Sequence, residues 1–263
     1  MKIPLLFIAR FRFSRNDRVV AFSLIELLVV MAVVAGMMTL VVPALHTGRG
    51  AGSLSSAVYE IAGLVDQARS YAMANNTHVF VGVVEVDATQ DSTASMPVTG
   101  VGRVVIAIVA SRDGSSGYYG ADSDSIEQSW SDGGAYGQNL LSVAKIYQFE
   151  NVHIADTITS SGEMNRPEVE ANYRIGNAKF TSLTPFNWPL SSSRPTGKYR
   201  FEKVIEFDPK GVAIIQSSTN INTLTPYIEL GLQPAAGSAI LSNSNVAVIQ
   251  IDGMTGTPRV YRP

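Results

Sequence analysis

The sequence predicts an α+β fold, in which a long N-terminal hydrophobic helix (transmembrane or filament core) is followed by an antiparallel β-sheet domain. Three observations carry this. Residues 22–45 form an apolar run with a single charge, Glu26. Residues 53–76 repeat apolar side chains at three- and four-residue steps, the period of a helix with one buried face. From His78 onward β-branched residues dominate in short runs separated by turn chemistry.

Residues 1–21 carry Lys2, Arg10, Arg12, Arg15 and Arg18 against Asp17. Positive charge beside a first span holds that side in the cytoplasm. A secretory signal is cut after its apolar stretch, whereas a cut at the end of the basic segment 1–21 would leave the apolar run in the mature chain. The 24 residues from Phe22 to Leu45 would make a helix about 36 Å long, enough for a hydrocarbon core of about 30 Å. Glu26 is costly inside such a run and calls for a partner. Pro43 removes one helical hydrogen bond, which apolar surroundings tolerate. The glycines at 48, 50 and 52 each cost a helix about 1 kcal/mol relative to alanine, so 46–52 is expected to be a joint.

Ser53 or Ser56 can cap the next helix, 53–76. Leu54, Val58, Ile61, Val65, Ala68 and Ala72 make its core face, and Asn75-Asn76 ends it. Strands are expected at 78–86 and 103–110, as a pair, and then at Val143–Phe149, Tyr199–Phe207, Val212–Ser217, Tyr227–Leu230 and Val246–Ile251. Residues 111–138, rich in Gly, Ser, Asp and Tyr, read as a long loop, and the whole stretch 111–195 as an insertion in a β-rich domain, 77–263.

The pairing of an acid near the start of the apolar run with a proline 17 residues later, in Phe22-Ser23-Leu24-Ile25-Glu26-Leu27-Leu28…Pro43, resembles the type IV pilin and pseudopilin family. The resemblance implies a prepilin-type cleavage/methylation motif: removal of the leader 1–21 between Ala21 and Phe22, and methylation of Phe22. It also implies an assembly role for Glu26 and Pro43. Ala21 departs from the family's usual glycine. Ala68-Arg69-Ser70-Tyr71-Ala72 before the first strand, the turn Phe207-Asp208-Pro209-Lys210-Gly211 and the closing stretch 250–262 are similar to minor pseudopilin H of type II secretion systems. The chain is also similar to the pilin-like proteins called Verru_Chthon cassette protein D.

These resemblances imply a pseudopilin or minor pilin, a structural subunit and not an enzyme, needing no cofactor. Its partners would be a prepilin peptidase/N-methyltransferase, other pseudopilins or pilins, and the inner membrane. It would cross that membrane once, with its N-terminus cytoplasmic and its C-terminal domain periplasmic. Two alternatives are a DNA-capturing minor pilin, using Arg259 and Arg262, and a plain single-span anchored periplasmic protein; an anchored hydrolase is a further rival. Nucleic acid is not favoured, because net charge is −2 and falls to −6 once the leader's five basic and one acidic residues are removed.

Catalytic vocabulary is sparse. His46, His78 and His153 are far apart, and no phosphate loop, nucleophile elbow or zinc-helix motif occurs. The absence of cysteine excludes disulfide and thiolate chemistry. No metal site is expected; Asp122, Asp124 and Glu127 are the one stretch with oxygens to offer calcium, without EF-hand spacing.

Overall fold

The structure is a computed structural model. It describes residues 23–94, 97–112, 114, 116, 140–156, 158, 164–178, 180–190, 198–216, 225–241 and 245–263, with side chains of 39–52 excluded. The chain divides into two compact units, Met1–Leu45 and His46–Pro263. Helix α1 runs Leu24–Asn75 without the expected interruption at 46–52.

Two sequence expectations are corrected here. The α+β class, with its long hydrophobic transmembrane or filament-core helix and pilin-like domain, gives way to an architecture dominated by three antiparallel sheets. Among the described residues no helix is long and apolar enough to cross a membrane. Within the described side chains the apolar run of α1 is Leu24–Met38, shorter than the ~20 residues that a span requires. The single-pass inner-membrane localisation falls on the same finding.

In the second unit, Leu54, Val58, Ile61, Val65, Ala68 and Ala72 are all buried. They join one core cluster with residues from two sheets. Asn76, in the left-handed conformation that asparagine tolerates, follows the helix.

The first sheet centres on β1 (Val79–Asp87) and β2 (Gly102–Ser111), antiparallel in the register Val79↔Ala110 through Asp87↔Gly102. Both faces are buried, and the strand period of two sorts the side chains between them. Val79, Val81, Val83, Val104, Ile106 and Ile108 face the α1 core, whereas Phe80, Val105, Ala107 and Val109 belong to a second cluster. This explains why 79–84 and 104–110 read as unbroken apolar runs within the two strands. β3 (Leu140–Ser142) and β4 (Tyr147–Glu150) both pair with β2. The other edge of β1 pairs with residues 203–207, in the register Val79↔Phe207 through Val83↔Lys203.

The second sheet holds β5 (Val152–Ala155) against β10 (Tyr227–Ala236). It continues from β10 to β12 (Ala247–Asp252) and β13 (Pro258–Tyr261), with β11 (Ala239–Ile240) on the end of β10. β10 extends past the expected Leu230 because Gly231–Pro234 find partners on β5.

β6 (Phe186–Trp188) and β7 (Tyr199–Phe201) form a small third sheet over the outer face of β1 and β2. The single strand expected at Tyr199–Phe207 is therefore two: β7 ends at Phe201, and β8 (Lys203–Phe207) begins after Glu202 and pairs with β1. Gly82 is the residue that lets this layer close. A Cβ there would lie 2.5 Å from Phe186 Cζ and 2.7 Å from Phe201 Cβ, and the two rings stack at 4.9 Å.

β8 turns into β9 (Ala213–Ile214) through Asp208-Pro209-Lys210-Gly211. Asp208 Oδ1 accepts from the amides of Lys210 and Val212, both at 2.8 Å. Gly211 sits at φ +84°, which favours glycine. Parts of the expected 111–195 insertion are thus ordered: they supply β3 to β6 and the outer coverings of both main sheets.

Candidate functional site

The first candidate is the start of α1. Ser23 O accepts from the amides of Glu26 and Leu27, at 3.0 and 3.2 Å, and so opens the helix. Glu26 stands in its first turn, where a negative charge meets the positive end of the helix dipole. Leu27, Leu28, Val29, Val30 and Met31 are all exposed. Five consecutive residues cover more than a full turn, so this segment is apolar on every side. Helices of that kind are found where other apolar surface encloses them. Leu24, Ile25, Val33, Val34, Met37 and Met38 continue the exposed surface.

Ala21 and Phe22 lie outside the described residues, as do Asp122, Asp124 and Glu127. Pro43 falls within the α1 range, with its side chain outside the description. Among the described residues no group of three or more His, Asp or Glu could hold a metal ion.

The structure does not bring Arg259 and Arg262 together. Arg259 is exposed on β13, opposite Gln250. Three positions on, Arg262 reaches the other way: its Nη1 donates to Ser55 Oγ at 3.1 Å, and its guanidinium lies 5.7 Å from the centre of the Tyr59 ring. Odd spacing on an extended chain puts two side chains on opposite faces. Arg69 makes a matching attachment, with Nε donating to Thr255 O at 2.6 Å. Both arginines tie the closing hairpin to α1.

Sequence reading missed the buried ionic groups. Glu229, buried on β10, meets Arg166 through two contacts, Nε to Oε2 at 3.0 Å and Nη2 to Oε1 at 3.3 Å. Ile175 N also donates to Glu229 O at 2.9 Å, so the segment 164–176 is held across the outer face of the second sheet. Glu206, buried on β8, lies 2.8 Å from His78 Nδ1 and accepts from Gln216 Nε2 at 2.7 Å. Glu85 takes His153 Nδ1 at 2.9 Å together with the amides of Gly102 and Ile154. Each carboxylate is therefore engaged within the fold, as buried charge requires. Only the isolated acids inside apolar strands, as in Val84-Glu85-Val86, could have signalled these groups.

A cavity of about 440 Å³ opens beside β1, lined among others by Val84, Glu85, Thr99, Lys198, Tyr199 and Lys203. Burial pushes the Lys203 amine below the ordinary lysine range, partly offset by the charges of Asp156, Glu202 and Glu85. Burial likewise pushes the Tyr199 phenol up, with Arg103 acting against it and Glu150 with it. The phenol oxygen accepts from Gln148 Nε2 at 3.0 Å.

No protein-family model matches the chain, no curated protein matches it in sequence, and no solved structure matches its fold.

Proposed function

We propose that the chain is a pseudopilin or minor pilin, a structural subunit of a type II secretion or type IV pilus-like filament, assembled through its N-terminal helix. The observation supporting this most is the all-round apolar exposure of Leu27–Met31 next to the single charge of Glu26. Such a segment gains stability only when other apolar surface covers it, at about 25 cal/mol for each Å² removed from water. Neighbouring copies, or related subunits, would provide that cover.

In this reading a prepilin peptidase cuts between Ala21 and Phe22 and methylates the new amine. The amine of one subunit then meets Glu26 of the next. A carboxylate left unpaired among packed apolar helices is strongly unfavourable, so correct register is rewarded and slipped register penalised. Glu26 thus selects the arrangement, and the apolar side chains supply the adhesion.

The test is the N-terminal residue and intact mass of the protein isolated from its native host. Methylated Phe22 is the expected result, and a chain still beginning at Met1 would remove the proposal. Glu26→Ala should then be cleaved normally and recovered from filaments at a small fraction of the wild-type amount. Equal recovery would refute the pairing role.

A further inference from the structure

The cavity beside β1 is lined by two lysines and by acids that act on Lys203 only from beyond ion-pair distance. β8 pairs with β1 only as far as Val83↔Lys203, and Thr99 bridges β1 again at Val86. Between these points the wall carries Val84 and Glu85, and Lys198 and Lys203 are among the lining residues. Lys203 Nζ donates to the main-chain oxygen of Asn177. Lys198 Nζ donates to Ser92 O at 2.8 Å.

Among the described residues neither ammonium has a carboxylate within ion-pair distance. The acids that do line the cavity are engaged elsewhere. Glu85 is held by His153 and two amides, and Glu202 pairs with Arg200 at 3.0 Å. An ammonium has three donors, and one bond apiece leaves donors on both lysines for an incoming acceptor. Beside the polar Thr99, Tyr199 and Arg200, the lining includes the apolar Val84, Val86, Pro97 and Ile154. The volume is within the range of about 300–1,000 Å³ typical of ligand sites.

We propose that this cleft binds a carboxylate borne on a peptide segment of a partner protein, an acidic residue flanked by aliphatic ones, with Lys203 and Lys198 holding the acid and Val84 and Val86 its neighbours. A peptide fits better than a small dicarboxylate because the valines and Ile154 would have nothing to cover in the latter. Charge sets the choice of acid over amide. The partly desolvated setting strengthens the contact relative to one in water. The cleft lies wholly within His46–Pro263 and does not depend on the filament reading.

The test is calorimetric titration of the full-length protein at low salt with a capped valine–glutamate–valine peptide. The same peptide with glutamine in place of glutamate, and glutarate, serve as comparison ligands. The acidic peptide should bind, and its glutamine counterpart should bind about tenfold or more weakly, the usual scale of one charge-assisted hydrogen bond. Lys203→Met should weaken the acidic peptide to a similar degree. Lys198→Gln, on the rim, is the second variant and should also weaken it, whereas Lys210→Gln, in the β8–β9 turn, should not. Added salt should weaken binding through screening. No heat with the acidic peptide, equal binding of the glutamine peptide, or unchanged binding by both cleft variants would overturn the proposal. Glutarate binding as tightly as the peptide would overturn the peptide occupant.

Discussion

Arg166→Met isolates a buried charge, and its cost can be worked from the structure. Glu229 is 3% exposed and receives two hydrogen bonds from Arg166, at 3.0 and 3.3 Å. Methionine keeps much of the aliphatic volume but removes both donors, leaving a carboxylate under the 164–176 segment. Breaking one side of such a pair costs about 3–5 kcal/mol. In a folded unit of this size each kcal/mol corresponds to about 2–4 °C, so the variant should melt about 6–20 °C below wild type. Replacing both partners, as Arg166→Met with Glu229→Leu, leaves no orphaned charge. Swaps of that kind are often neutral or stabilising, so the double variant should recover most of the loss. The assay is thermal unfolding by circular dichroism at neutral pH, with proteolysis of 164–176 as a local readout. A single variant melting within about 2 °C of wild type, less than 1 kcal/mol on the same scale, would refute the reasoning. So would a double variant less stable than the single.

Two further outcomes follow from the packing and the charges. Gly82→Ala places a methyl against the Phe186 and Phe201 rings, and overpacking of this kind should lower stability by about 1–3 kcal/mol; Phe186→Leu in the same chain should restore part of it, and additive losses in denaturant unfolding would argue against a shared contact. The lowered amine of Lys203 has a definite linkage sign. Between its folded value and the ordinary lysine value of about 10.4, the unfolded chain binds more protons, so stability from this group rises with pH there. Denaturant unfolding at rising pH should therefore show wild type gaining on Lys203→Met, and a gap that stays constant or narrows would contradict the burial of that amine.

The helix face at 54–72 was legible because burial there follows one period without interruption: all six spaced apolar residues reach the core. The pairing of β1 with β2 was legible for a related reason, since runs such as Val104-Val105-Ile106 are apolar on both faces and fit only a covered strand. The break at Glu202 was not legible. Tyr199 to Phe207 alternates as one strand would, and only the tertiary placement of Phe201 over Gly82 divides it into two sheets. The glycines at 48, 50 and 52 argued locally for a joint, yet the backbone runs helical through them, an example of propensity acting as a weak prior. The cleft was hidden for a different reason. Lys198 and Lys203 are ordinary in sequence, and what distinguishes them is that, among the described residues, no carboxylate lies within ion-pair distance of either.

The attachment of the C-terminus to the helix has a consequence for synthesis. Arg262 and Ser55 are 207 residues apart in sequence, and the strands β10 to β13 that complete the core around 54–72 come late. At about 5–20 residues per second, roughly 10–40 s separate the appearance of the helix from that of its last partner. Throughout that interval Leu54, Val58, Ile61 and Val65 have been made and lack the part of their cover that β10 and β12 provide. The nascent chain therefore carries an adhesive stripe for much of its time on the ribosome, and chaperones that shield short apolar helices have a defined window in which to act. The clasp on Ser55 forms only once Arg262 has been made, so a chain interrupted shortly before it leaves that stripe without this attachment.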